Sequence, residues 1–237
     1  MTLLIKSGTL ITASETYRAD ILIEGEKIAQ IGASLDASGV EVIDAAGKLV
    51  LPGGVDPHAH FDLPMFGTVS SDDHYTGHKA AAFGGTTTVL DFVSLDYPTL
   101  QESIEAHQAK AAPKAAIDYS FHMNITRFDP AIAAELPRLP EFGLPSLKVF
   151  TAYNNRLRLQ DSEIFHVLRI SRQHGILTLL HAENGDVIET LVAEALSAGH
   201  RTPEGTPTPA RPGARSKRPS APPPWPPRPM PRYTSST

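Results

Sequence analysis

The chain has 237 residues, of which 41% are hydrophobic, and it carries a net charge of −5 at neutral pH. This composition is typical of a globular protein with one large domain or two small ones. Because it contains no cysteine, disulfide bonds and thiolate zinc sites are excluded, and any metal would be bound by histidine or carboxylate. No apolar run of transmembrane length and no signal peptide are found, so we expect a cytoplasmic protein without a membrane partner.

The N-terminal segment, residues 1–52, consists of short β-type runs. We predict strands over 3–11, 20–23, 27–31, 40–43 and 48–51. Gly25 lies in the tight connection Glu-Gly-Glu between the second and third runs, where it can supply the positive φ that a hairpin needs. Several short strands at close spacing predict part of a small β-sandwich or an open barrel.

Strand-like and helical patterns alternate from residue 53 to about residue 205. Strands are predicted over 55–60, 86–93, 117–125, 146–152 and 176–181, and helices over 72–83, 100–112, 131–135, 162–173 and 187–198. Five β/α units in series predict an α/β fold with a parallel sheet, for which an incomplete TIM-like (β/α)8 barrel is the favoured architecture. A flavodoxin-like open sheet is the alternative.

His58 and His60 carry the first functional signal. They follow a short apolar run, Pro52 and a Gly-Gly pair, within Val-Asp-Pro-His-Ala-His-Phe-Asp. On a strand, side chains two residues apart point to the same side, so both imidazoles would face one point at the end of the first barrel strand. This is a metal-binding arrangement, although a His-x-His pair alone is also compatible with two unrelated loop histidines.

Lys148 and His181 belong to two later strands of the same predicted sheet. Chemistry in β/α barrels lies at the C-terminal ends of the strands, so these side chains are expected to meet the histidine pair. A buried lysine without a compensating partner is costly. Lys148 therefore either reaches solvent or an acid, or is carboxylated by carbon dioxide into an anion that can bridge two metal ions.

Four motifs, in this order, resemble the dihydropyrimidinase/D-hydantoinase family of cyclic amidohydrolases. They are Pro-Gly-Gly-Val-Asp-Pro-His-Ala-His-Phe-Asp, Ala-Ala-Ala-Phe-Gly-Gly-Thr-Thr-Thr, Ser-Leu-Lys-Val-Phe and Leu-His-Ala-Glu-Asn-Gly-Asp. The likeness runs from Met1 to about Gly205. It implies a β-sandwich joined to a (β/α)8 barrel, a binuclear zinc site, a small cyclic amide substrate and a homotetramer.

The resemblance also assigns the metal ligands. It implies that His58 and His60 bind the more buried of two Zn²⁺ or other divalent ions, and that His181 binds the second. Lys148, as its carboxylated form, would bridge the two ions and belong to the catalytic residues.

Three further residues are implied to contact the substrate. Tyr153 matches the catalytic tyrosine that hydrogen-bonds the substrate near the reacting carbonyl. Leu63 and Phe66 match a mobile loop that shapes the pocket for the exocyclic substituent of the ring. The implied reaction is attack of a zinc-bridging hydroxide on the ring carbonyl, with zinc and Tyr153 stabilising the oxyanion.

The likeness ends near Gly205, and the sixth-strand histidine and the late aspartate of the family are absent. Residues 201–237 instead hold seven Lys or Arg, one acid and 12 of the 21 prolines. A disordered tail and a polyproline ligand are two interpretations. A frameshift explains the segment better, because 217–219 and 232–237 correspond to the family's Glu-Ala-Thr and Pro-Leu-Tyr-Ile-Val-His codons read one base late. The expected domains are 1–52, 53–205 and a tail over 206–237.

The sequence therefore predicts a truncated hydrolase of hydantoin or dihydropyrimidine rings, with little or no activity from this chain alone. The alternative is a non-catalytic binding or assembly protein of the dihydropyrimidinase-like type, but the retained metal-binding residues favour enzyme ancestry. A nucleic-acid or SH3 binder has no support beyond the basic tail, so no nucleic-acid partner is expected.

Overall fold

The computed structural model describes residues 2–65 and 67–202, so Phe66 and the predicted tail over 206–237 lie outside the described residues. The chain divides into two compact units. Unit 1 comprises residues 1–56 and 79–88, and unit 2 comprises residues 57–78 and those from 89 onward. The domain boundaries predicted at residues 52 and 205 stay predictions.

Short strands fill the first part of the chain, and helices alternate with strands after it. The strands are β1 (Thr2–Ile11), β2 (Thr16–Glu24), β3 (Lys27–Gly32), β4 (Glu41–Asp44), β5 (Leu49–Val50), β6 (Gly54–Asp56), β7 (Pro64–Met65), β8 (Thr68–Val69), β9 (Thr86–Val93), β10 (Asp118–Asn124), β11 (Ser146–Phe150) and β12 (Leu177–His181). The helices are α1 (His74–Phe83), α2 (Leu100–Ala111), α3 (Pro130–Glu135), α4 (Asp161–His174) and α5 (Gly185–Ser197), with a 3-10 turn at Leu136–Arg138. No helix in these ranges is long and apolar enough to cross a membrane.

Unit 1 contains a mixed sheet with the order β3-β2-β1-β4, in which β5 also pairs with β1. β1 is antiparallel to β2 and parallel to both β4 and β5. The predicted hairpin is present, with Gly25 at a φ of 62° between β2 and β3. Leu10, Ala19 and Ile21 form the buried apolar cluster of this sheet. The β-rich N-terminal portion predicted from the sequence is therefore confirmed.

A second sheet has the order β12-β11-β10-β9-β6. Each of these strands lies beside the one that precedes it in the β/α series, and β10, β11 and β12 pair in parallel. This sequential order is that of a (β/α)8 barrel, whereas a flavodoxin-like sheet has the order 2-1-3-4-5. The incomplete TIM-like barrel is confirmed, and the flavodoxin-like alternative is wrong.

The core of unit 2 lies between its strands and helices. Val93, Met123 and Val149 from three strands are fully buried, as are Ile132 of α3 and Val167 of α4. Burying an apolar side chain of this size stabilises the fold by about 1.5–3 kcal/mol. This packed layer fixes the strands whose ends carry the predicted site residues.

The helix boundaries have clear local causes. At the start of α2, Thr99 and Glu102 form a capping box in which each side chain accepts from the backbone N–H of the other. At the end of α4, Gly175 takes the left-handed conformation, with a φ of 70°. The sequence predicted both ends to within one residue.

The first barrel strand is shorter than predicted. The sequence indicated a strand over 55–60, but β6 ends at Asp56 and a bend follows. His58 and His60 therefore lie in irregular chain beyond the strand, because Pro57 has no N–H with which to continue a ladder. β11 likewise ends at Phe150, two residues before its predicted end.

Candidate metal centre

The segment that carries His58 and His60 keeps the alternation of a strand although it is not one. Ala59 is buried, at 9% exposure, and its N–H donates to the carbonyl of Leu90 in β9 at 3.0 Å. The two imidazoles on either side of it lie close together, with ring centroids 5.3 Å apart. The predicted convergence of the pair is thus retained, and its cause is this single backbone bond to the neighbouring strand.

His122 of β10 anchors the same segment. Its Nε2 lies 2.9 Å from the carbonyl oxygen of Pro57, and its Nδ1 is hydrogen-bonded to the hydroxyl of Ser146. Burial lowers the pKa of His122, so the ring is neutral, donates from Nε2 and accepts at Nδ1. Since both nitrogens are occupied, His122 positions the backbone ahead of His58 rather than offering a metal ligand.

The ring of Phe92 lies at the centre of the predicted ligands. Its centroid is 4.7 Å from that of His58 and 4.8 Å from that of His60. The Nζ of Lys148 lies 4.9 Å from the same ring. The structure therefore brings two imidazoles and the lysine of another strand around one buried aromatic side chain.

Lys148 has an apolar environment. It is 9% exposed, and burial lowers the pKa of its amine. Within the described ranges its ammonium forms no ion pair, and its Nζ lies near the rings of Phe92 and Phe150. No acid forms an ion pair with Lys148 within these ranges, so the interpretation in which an acid neutralises its charge is not supported.

His181 ends β12 and faces the same side of the sheet as Lys148. In the parallel register, Lys148 is opposite Leu179 and Phe150 is opposite His181, and side chains two residues apart share a face. The ring of His181 lies 6.1 Å from that of Phe150, which the Nζ of Lys148 approaches to 5.5 Å. Its Nε2 is 2.8 Å from a carboxylate oxygen of Glu183.

Tyr153 lies in the loop after β11, where its ring is 5.0 Å from that of His181. Its φ of 63° is unusual for a side chain of this size and costs about 1–3 kcal/mol. The loop is held to the start of α5, because Asn154 and Arg158 both donate to Asp186. Gly185, in the Asn-Gly-Asp part of the fourth motif, is required there because a Cβ would clash with Asn154.

Leu63 is the remaining predicted substrate contact within the described residues. It follows the histidine segment, and its N–H donates to the hydroxyl of Ser70. Together with Phe61 and Phe92 it lines a small cavity of about 30 Å³. The structure thus places Leu63 beside the same aromatic ring as the predicted ligands.

Sequence reasoning missed Asp91, which is 3% exposed. Its Oδ1 lies 4.0 Å from Nδ1 of His60, and its Oδ2 lies 3.7 Å from Nε2 of His74 and 3.0 Å from Nε2 of His107. In the sequence, both His74 and His107 look like ordinary histidines. The available signal was a carboxylate inside the apolar run Val-Leu-Asp-Phe-Val, which requires partners as Lys148 does.

The donor types of the predicted ligands His58, His60, His181 and carboxylated Lys148 fit a divalent metal centre on chemical grounds. Imidazoles and carboxylate oxygens are zinc ligands, whereas a protonated lysine is not. The amine of Lys148 lies near the rings of Phe92 and Phe150 and forms no ion pair within the described ranges. A carboxylate beside His60 matches the outer partner that usually orients a metal-binding imidazole.

Curated proteins similar in sequence to this chain are hydantoinases and dihydropyrimidinases, although no family model matches it. It is 48% identical over 205 residues to a D-hydantoinase of Geobacillus stearothermophilus, an alignment covering 86% of this chain and 44% of that protein. It is 38% identical over 210 residues to a dihydropyrimidinase of Dictyostelium discoideum, covering 86% and 41%.

Solved structures agree with the sequence relatives. The crystal structure of the dihydropyrimidinase from Brevibacillus agri NCHU1002 superposes with a TM-score of 0.84 at 45% identity, covering 87% of this chain and 46% of that one. The chain thus spans less than half the length of the relatives it matches. Sequence identity, fold and the order of the four motifs agree in making this chain similar to D-hydantoinases and dihydropyrimidinases over 86–87% of its length.

Proposed function

We propose that this chain carries the N-terminal half of a hydrolase site that opens the C–N bond of a hydantoin or dihydropyrimidine ring. The observation that carries the proposal is the arrangement of His58, His60 and Lys148 around Phe92. His181 lies on the same face of the adjacent strand. A purely structural role would not favour a buried lysine that has no ion pair among the described residues, beside two exposed imidazoles.

In this proposal His58 and His60 hold one Zn²⁺, His181 holds a second, and carboxylated Lys148 bridges them. When bound, zinc lowers the pKa of its water to near neutrality and polarises the substrate carbonyl. The protein must then supply orientation and an apolar enclosure. Phe92 fills the space between the ligand side chains, and His122 fixes the backbone from which His58 projects.

Tyr153 and Leu63 have substrate-binding roles in this proposal. The phenol of Tyr153, which is 46% exposed and whose ring is tilted by 34° against that of His181, can donate to the oxygen of the reacting carbonyl. Leu63, with Phe66, would contact the exocyclic substituent of the ring. We also propose that the whole protein is a homotetramer with this activity, since the chain itself covers less than half the length of its relatives.

The test is bicarbonate-dependent metal uptake. The full chain, incubated with zinc, should gain about 44 Da on Lys148 by native mass spectrometry when bicarbonate is present. Metal content should rise with it, because the carboxylated side chain supplies ligand oxygens. K148M should lose both increases, and H58A/H60A should lose the metal increase.

H200A, which removes an exposed histidine far along the chain, is the matched control and should behave as the parent. Equal, bicarbonate-independent metal content in the parent and in K148M would contradict the proposed bridging role. Uptake unchanged in H58A/H60A would contradict the ligand assignment.

A further inference from the structure

A second group of potential metal ligands surrounds Asp91 of β9. Asp91 lies next to the histidine pair, with its Oδ1 4.0 Å from Nδ1 of His60. Its Oδ2 meets His74 from the start of α1 and His107 from α2. One ligand atom from each of these three residues lies within 4.8 Å of the other two.

The two distances from Asp91 to the histidine nitrogens are close to those around a single bound ion. A tetrahedral zinc ion with bonds of about 2.0–2.1 Å separates its ligand atoms by about 3.3 Å. Oδ2 of Asp91 lies 3.0 Å from Nε2 of His107 and 3.7 Å from Nε2 of His74, which brackets that value. Two imidazoles and one carboxylate form a common zinc donor set.

Some buried polar atoms of this group have no hydrogen-bond partner among the described residues. His74 is fully buried, yet neither of its ring nitrogens has a hydrogen-bond partner among the described residues. Within the same ranges, every ion pair of the buried Asp91 carboxylate is with a histidine. A divalent cation would supply a partner for His74 and a counter-charge for the Asp91 carboxylate.

The surroundings of the group indicate which ligand would complete the coordination of the ion. His78 is close to His74, but its Nδ1 accepts from the N–H of Ala116 at 3.3 Å. The neutral His78 ring must then carry its proton on Nε2 and has no free lone pair for a metal. His107 lines the same cavity of about 30 Å³ as Leu63, and this cavity has room for a water molecule.

We propose that His74, Asp91 and His107 bind one divalent transition-metal ion, with zinc as the preferred ion and water as its fourth ligand. The ion would hold α1 and α2 on β9. This site is independent of carboxylated Lys148, so its occupancy should not require bicarbonate.

The test uses the full-length H58A/H60A/K148M variant, in which the first centre is removed. After incubation with zinc in bicarbonate-free buffer and desalting, about one molar equivalent should remain by elemental analysis. Cobalt(II) should replace it and give the intense visible bands of a four-coordinate ion. Adding H107Q or D91N to this background should abolish the retained metal, whereas adding H200Q, the matched control, should not.

X-ray absorption spectroscopy provides a second test, which does not depend on the added substitutions. X-ray absorption of the ion in the triple variant should show nitrogen and oxygen ligands with the scattering of two imidazoles. An ion without imidazole ligands, absence of retained metal, or equal retention in the folded H107Q and D91N variants would each overturn the proposal. In that case the cluster is a structural group in which His107 is hydrogen-bonded to Asp91.

Discussion

The ring of Phe92 contacts His58, His60 and Lys148, although phenylalanine neither binds a metal nor transfers a proton. Its contribution is spatial, because the three polar side chains can face one another only while the ring fills the volume beside them. At the scale of single residues, the site therefore depends on an apolar side chain as much as on its ligands. Lys148 is the residue for which this environment is most costly in the charged form, since its amine has no acidic partner among the described residues.

We expect Phe92→Ala to destabilise the protein by about 3–5 kcal/mol, because a side chain that is 2% exposed is replaced by a cavity. Urea denaturation followed by circular dichroism measures this change in the free energy of unfolding. Phe92→Leu keeps most of the volume and should cost roughly 1 kcal/mol. Similar stabilities for the alanine variant and the parent would show that the ring is not part of the core.

At the scale of elements, strand register and helix capping position several of the predicted site residues. β11 and β12 fix Lys148 and His181 through their parallel register. The start of α1 is fixed by Asp73, whose Oδ1 accepts from the N–H of Thr76 at 2.8 Å. Lys114 lies 3.1 Å from the other oxygen of the same carboxylate.

This contact predicts a pH dependence. The hydrogen bond from Thr76, followed by that from Lys114, lowers the pKa of Asp73 from 3.8 to about 2. Because the folded-state pKa lies below that of the unfolded chain, the stabilisation is present above pH 3.8 and is lost as pH falls from 3.8 to about 2. Urea midpoints of Asp73→Asn and of the parent, compared across this interval, measure the effect.

Asp73→Asn should be less stable than the parent near neutral pH and should lose less stability on acidification. Lys114→Met keeps the bond from Thr76 and should reduce the acid-induced loss only in part. Parallel pH profiles for Asp73→Asn and the parent would show that another group controls the start of α1.

At the scale of the whole molecule, the chain combines the matched half of a family fold with a different C-terminal segment. The family resemblance implies two further metal ligands in later strands, and this sequence does not contain them. From the sequence alone, we propose that residues 206–237 are a frameshifted reading of the sixth unit of the family that the chain resembles. Sequencing the gene tests that proposal, and an intact frame with this tail present in the native product would contradict it.

We expect the 237-residue chain by itself to open hydantoin or dihydrouracil with little or no turnover, even with zinc and bicarbonate. The reason is that, on the proposed ligand assignment, four residues without the later histidine and aspartate would leave each metal short of a ligand and the leaving nitrogen without a proton donor. Ring opening measured by loss of ultraviolet absorbance checks this expectation. Substantial turnover that disappears in K148M would show that the chain is sufficient for catalysis.

The sequence by itself determined the order and type of the elements, the four motifs and the residues expected to bind metal. These features depend on local periodicity, on turn residues such as Gly25 and Gly175, and on unusual residues in apolar strands. Local signals of this kind are present in a single segment and need no knowledge of its neighbours. The extent of the first barrel strand was wrong, because Pro57 interrupts it within an otherwise strand-like run.

Only the tertiary structure decided which side chains meet. The contact of Phe92 with three predicted ligands, the anchoring of Pro57 by His122 and the pairing of Asp91 with His74 and His107 all join residues distant along the chain. Such contacts follow from strand order and from the face on which each side chain lies. Periodicity gives the face but not the neighbouring element, so an aspartate in β9 and a histidine in α2 acquire a shared chemistry only when the chain is folded.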